Sequence, residues 1–188
     1  MKRRRLSTRS LIFAGAAAVL LAAASTAGVA AAGGAFRDAS VAPSGQCAAP
    51  ALGGSVVDVS LMNMMNGQMG GGWMTGGSML LSTSTNHAAA GTVSFRVANM
   101  GTLVHELVVL PLPAGQSVGD RVAASNGKVD ETGSLGEVSN SCASGPGTGL
   151  TPGSIGWVTI QLAPGNYELI CNLPGHYADG MYAELTVS

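Results

Sequence analysis

From Ser55 to the C-terminus the chain is written in short apolar segments separated by glycine and proline. Ser55–Leu61, Met79–Thr85, Gly91–Ala98, Leu103–Leu110, Ser154–Leu162, Tyr167–Cys171 and Met181–Val187 read as strands. In the third, Val93, Phe95 and Val97 fall on one face and Ser94 and Arg96 on the other, the period of a half-buried strand. Glycine supplies 28 residues and charged side chains only 10%, so solvated helices have few candidates. Seven or eight short strands with turns between them predict an all-β sandwich.

Two stretches are less regular. Between residues 111 and 153, prolines and glycines interrupt any long element, leaving room for one short helix or strand at Asp120–Ser125. Residues 62–79 hold six methionines around Gly70-Gly71-Gly72 and Trp73. Thioethers ligate Cu(I), so this stretch reads either as a weak Cu(I) site or docking patch, or as adaptable packing.

The chemistry concentrates in Cys171-Asn-Leu-Pro-Gly-His176-Tyr-Ala-Asp-Gly-Met181, a loop set by Pro174-Gly175 and Gly180. It delivers a thiolate, an imidazole and a thioether at five-residue intervals, and His105 offers a second imidazole upstream. Singly, each has an ordinary reading: an inert buried Cys, a satisfied core His, a gap-filling Met. Together they are the donor set of a mononuclear electron-transfer copper site.

In type, order and spacing these four residues resemble the blue-copper cupredoxins, in the long-loop form of azurin, rusticyanin and sulfocyanin. The resemblance covers about residues 55–188. It implies a Greek-key β-sandwich, one copper ion on His105, Cys171, His176 and Met181, and outer-sphere electron transfer with redox proteins as partners. His176 would be the electron exit, since its neighbours Leu173, Pro174, Gly175, Tyr177 and Ala178 carry no charge. Small apolar patches suit brief redox encounters. An asparagine or serine often follows the first histidine in such proteins, but here the position is Glu106. Strand alternation would turn it away from the His105 side, towards the loop or solvent.

An enzyme is not expected. Copper oxidases and nitrite reductases of this fold carry a His beside the Cys, where this chain has Ile170 and Asn172. With three His in all, there are too few for a trinuclear centre. One loop Cys excludes a binuclear thiolate site, and no Ser-His-acid arrangement stands out. His87 reads as a surface residue in a turn. The competing class is a copper storage, delivery or resistance protein using residues 62–79.

The N-terminal residues 1–32 are a targeting segment, cleaved or kept as an anchor. Lys2, Arg3, Arg4, Arg5 and Arg9 precede the apolar Leu11–Ala24, and Ala30-Ala31-Ala32 offers a cleavage pattern. Residues 33–54 read as a linker and 55–188 as the copper-binding domain. Without the leader, four basic residues face ten acids, a net charge of −6, which disfavours nucleic acid as a partner. The expected protein is exported, monomeric and either free or membrane-attached. Export permits a disulfide between Cys47 and Cys142, with two free thiols as the alternative.

Overall fold

In the computed structural model, residues 47–63 and 79–188 are described. Residues 1–32, read as leader or anchor, and most of the methionine-rich stretch lie outside them. No helix long and apolar enough to cross a membrane occurs among the described residues.

Among the described residues, nine strands form two mixed sheets. They are β1 (Ser55–Asn63), β2 (Met79–Thr83), β3 (His87–Ala88), β4 (Gly91–Asn99), β5 (Leu107–Pro111), β6 (Gly136–Val138), β7 (Ile155–Leu162), β8 (Gly165–Ile170) and β9 (Tyr182–Val187). One sheet runs β2-β1-β4-β7, the other β3-β9-β8-β5-β6. The all-β sandwich is as expected, with β3 and β6 too short to show a period.

The core sits between the sheets. Val57, Val59 and Leu61 of β1 and Val93, Phe95 and Val97 of β4 meet Leu107, Val109, Leu169, Leu185 and Val187 from the other sheet. Alternation in β1 and β4 thus marks the buried face. β1 and β4 are parallel, with Asp58 opposite Arg96. Both carboxylate oxygens accept from that guanidinium, at 2.8 and 3.0 Å, fixing the register of the pair.

β5 is apolar without alternation because it is covered on both faces. Its outward Val108 and Leu110 join Val129, Ile170 and Tyr177 in a second small core, with Ala123 and Tyr182 packed against it. Residues 112–135 cover this outer face of the sheet. Asp120–Ser125 form neither helix nor strand. The left-handed Gly119 and Gly127 bound the stretch, and side-chain bonds hold it instead.

Two further expectations change. His105 is not on a strand: it makes an isolated bridge to Leu150 two residues before β5. His87 is exposed as expected, but lies in β3 opposite Thr186 of β9. Cys47 and Cys142 form a disulfide, their Cα atoms 5.2 Å apart. It joins the segment before β1 to the loop before β7.

Candidate metal centre

The first donor is positioned by two asparagines. Asn99 ends β4, and its Oδ1 accepts the Gly101 N–H at 2.9 Å while its Nδ2 donates to Leu103 O and Leu150 O, both at 2.7 Å. This folds residues 99–103 into a loop and breaks the apparent strand. Asn63 ends β1, and its Oδ1 accepts from Thr102 N at 2.7 Å and Leu103 N at 3.1 Å. The same oxygen lies 3.3 Å from His105 Nε2. A carbonyl oxygen only accepts, so Nε2 carries the proton and Nδ1 keeps its lone pair. Gly101 must lack a side chain here: a Cβ would fall 2.2 Å from Asn63 Oδ1 and 3.0 Å from His105 Nε2.

The second and third donors come from the loop after β8. Cys171 N–H donates to Met181 O at 3.0 Å and Met181 N–H to His176 O at 3.2 Å, closing the loop at its base. Inside it, His176 N–H bonds Leu173 O and Gly180 N–H bonds Tyr177 O. Gly175 and Gly180 take φ of 87° and 94°, which glycine adopts without strain. Asn172 is buried and stitches the loop to its neighbour segment: it accepts from Val129 N at 2.8 Å and donates to Val129 O at 2.9 Å.

These supports bring three donors together. His105 Nδ1 and His176 Nδ1 are 3.2 Å apart, and Cys171 Sγ is 3.3 Å from His176 Nδ1. The three residues form a single group with all ligand atoms within 4.8 Å of one another. First-row metal–nitrogen and metal–sulfur bonds run about 2.0–2.3 Å, so donors at this spacing suit one small ion. His105 and Cys171 are buried and His176 is half-exposed. Met181 is fully buried at the loop's base.

The electrostatics suit a soft cation. Burial pushes the Cys171 thiol up to about 11, against the Leu173 and Glu106 amides that favour the thiolate. Burial, then the nearby His176, brings His105 down to about 4. Burial also lowers His176. Before any metal binds, the site is neutral: one thiol and two imidazoles. Two imidazoles with one sulfur match copper better than the hard, oxygen-preferring cations.

A sulfocyanin (SoxE) domain matches residues 74–188. The chain belongs to the sulfocyanin family. It is therefore a blue copper protein of the cupredoxin class, whose cofactor is one copper ion and whose members carry electrons. Similar solved structures include reduced auracyanin from Roseiflexus castenholzii, at 18% identity and TM-score 0.45, covering 73% of this chain and 99% of that one. Rusticyanin from Thiobacillus ferrooxidans is another, at 18% identity and TM-score 0.42, covering 72% of this chain and 79% of that one. No curated protein matches the sequence significantly.

Sulfocyanin-family membership leaves Glu106 to be placed by the structure. It is 6% exposed, and its Oε1 is buried without a hydrogen-bond partner. The solvated alternative is thus corrected. Burial raises its carboxyl to about 7, opposed by Lys128 and the Asn172 amide and reinforced by Glu137 and Glu131.

Proposed function

We propose that this chain is an exported, mononuclear blue-copper carrier that passes single electrons between redox proteins, with His105, Cys171, His176 and Met181 as ligands. The observation carrying this reading is the convergence of the two imidazoles and the thiol within 4.8 Å. When bound, the copper supplies a one-electron couple. The protein's own part is to hold its donors still. His105 is fixed through Asn63, the thiol sits under the Glu106 amide, and the loop base is closed by the Cys171–Met181 bond. Donors held this way need little rearrangement when the ion changes charge.

His176 is the accessible donor, and the exit route is assigned to it. Leu173, Pro174 and Ala178 beside it are uncharged, and Leu103 and Val104 next to His105 are exposed apolar residues. This is a surface suited to a brief encounter with another redox protein. Export is inferred from the basic and apolar N-terminal segment, and the disulfide accords with an oxidising compartment. Membrane attachment through that segment, a monomeric state and the absence of catalytic activity belong to the same reading.

The deciding experiment is the visible and EPR spectrum of the Cu(II) protein. One equivalent of copper should give an intense thiolate-to-copper band, and Cys171→Ser should abolish it. A colour that survives Cys171→Ser would overturn the ligand assignment. Ready loss of Cu(I) to a chelator, without fast self-exchange, would favour copper delivery instead.

A further inference from the structure

Beside the copper loop lies a buried ionic network that the donor set does not use. Glu168 of β8 is 0% exposed. Its Oε2 accepts from Arg121 Nε at 2.5 Å. Its Oε1 accepts from Gly119 N–H at 2.8 Å and from the Tyr177 hydroxyl at 2.8 Å. The same hydroxyl oxygen accepts the Arg121 N–H at 3.1 Å, and Arg121 Nη2 donates to Pro111 O at 2.7 Å. Every oxygen of the carboxylate is satisfied, as a buried charge requires.

Three separate parts of the chain meet here: β8, the covering segment and the copper loop. Tyr177 follows His176 directly and is 3% exposed. Its ring packs with Val108, Leu110, Val129 and Ile170 in the second core, and lies 5.2 Å from the Tyr182 ring. Tyr182 in turn packs so closely on Gly119 that a Cβ there would sit 2.6 Å from the ring. A buried ion pair yields little net stability compared with apolar packing. What it does supply is a single permitted geometry, because any shift of Tyr177 strands a buried polar group.

We infer that Glu168, Arg121 and Tyr177 form a clamp that fixes the backbone at His176, so that Tyr177 and Glu168 are positioning residues for electron transfer. The inference rests on the reading of His176 as a copper ligand. Of the two imidazoles, His105 is held by Asn63 and enclosed by protein, whereas His176 is half-exposed. Beyond its ring contacts with Cys171 Sγ and His105 Nδ1, His176 is restrained through its backbone. The clamp grips that backbone one residue away, from the side opposite the metal donors' core.

The test uses the full chain with Tyr177→Phe, which keeps the ring and removes only the hydroxyl, and Glu168→Gln. Asp58→Asn serves as control, since it breaks an ion pair on the other sheet. Both clamp variants should speed amide hydrogen exchange at Asp179 and Gly180 about tenfold or more. They should also slow electron self-exchange of the copper form about three- to tenfold, while the control alters neither beyond its effect on melting. Unchanged loop exchange and self-exchange in Tyr177→Phe, whatever happens to melting, would overturn the clamp. Should Glu168→Gln fail to fold, Tyr177→Phe decides. A wild-type protein without the thiolate band would defeat the ligand reading instead, and amide exchange would still test the restraint on the loop.

Discussion

The backbone N–H of Glu106 donates to Cys171 Sγ at 3.3 Å, tying the segment that carries the first imidazole to the only free thiol among the described residues. This bond favours the thiolate, but burial outweighs it and leaves the thiol near 11. Copper must therefore displace a proton from Cys171. His105, near 4, is already neutral at physiological pH. Above the Glu106 carboxyl, which lies near 7, one proton should be released per copper, as measured at pH 8 to 9, and apparent affinity should rise about tenfold per pH unit. Calorimetry in buffers of different ionisation enthalpy would measure it. Release of two protons, or none, would contradict the assigned charge states.

Asn63 is expected to set the copper affinity without touching the ion. Asn63→Ala removes the acceptor on His105 Nε2 and frees the ring to turn. Loss of such a partner costs roughly 10–100-fold in metal affinity. Asn63→Asp keeps an acceptor and should retain most of the binding. Competition titrations against a chelator would separate the two, and equal affinities for all three proteins would remove Asn63 from the site.

Glu106 makes stability depend on pH. Its folded-state carboxyl is raised from 4.5 to about 7, so the native protein holds the proton more tightly than the unfolded chain. The associated stabilisation is complete below 4.5 and is lost as pH rises through 7. Above that, the ionised and incompletely bonded carboxylate becomes a cost. Glu106→Gln should then be more stable than wild type at pH 8.5, by about 1–3 kcal/mol, with the difference closing near pH 4. Urea denaturation at both values would show this. The same variant should raise the reduction potential at neutral pH, because it removes negative charge beside the thiolate. Superimposable voltammograms across the range would exclude that coupling.

Met181 is fully buried at the base of the loop. In the proposed ligand set it would be a weak donor that tunes potential more than affinity. Met181→Gln should retain one copper and lower the reduction potential, since an oxygen donor favours Cu(II). Voltammetry with metal analysis would check both, and an unchanged potential would place Met181 away from the ion.

Cys171 and His176 were legible in the sequence because they lie in one short loop with Pro-Gly and Gly turns. The strands were legible where one face is buried, as in β1 and β4. Leu103–Leu110 misled because apolar spacing alone does not reveal that Asn63 and Asn99 capture residues 99–103. Asn99 could have been found: an Asn two residues before a Gly is a turn signal. Asn63, Asn172 and Glu168 could not. Their partners lie 39 or more residues away for Asn63, 41 or more for Asn172 and 47 for the Glu168–Arg121 pair, and no periodicity encodes a contact across that span. β6 is three residues long, too short to display a repeat.

The Cys47–Cys142 bridge divides the described chain into a closed ring and a free tail. Under tension applied to its two ends, the oxidised protein would transmit force through the bridge, leaving residues 48–141 slack and unloaded. Only residues 143–188 would be drawn out. His105 belongs to the ring, whereas Cys171, His176 and Met181 belong to the tail. A bound copper would thus be a second cross-link, sewing tail to ring, and the ligand loop could be drawn away from His105 only once that seam had ripped.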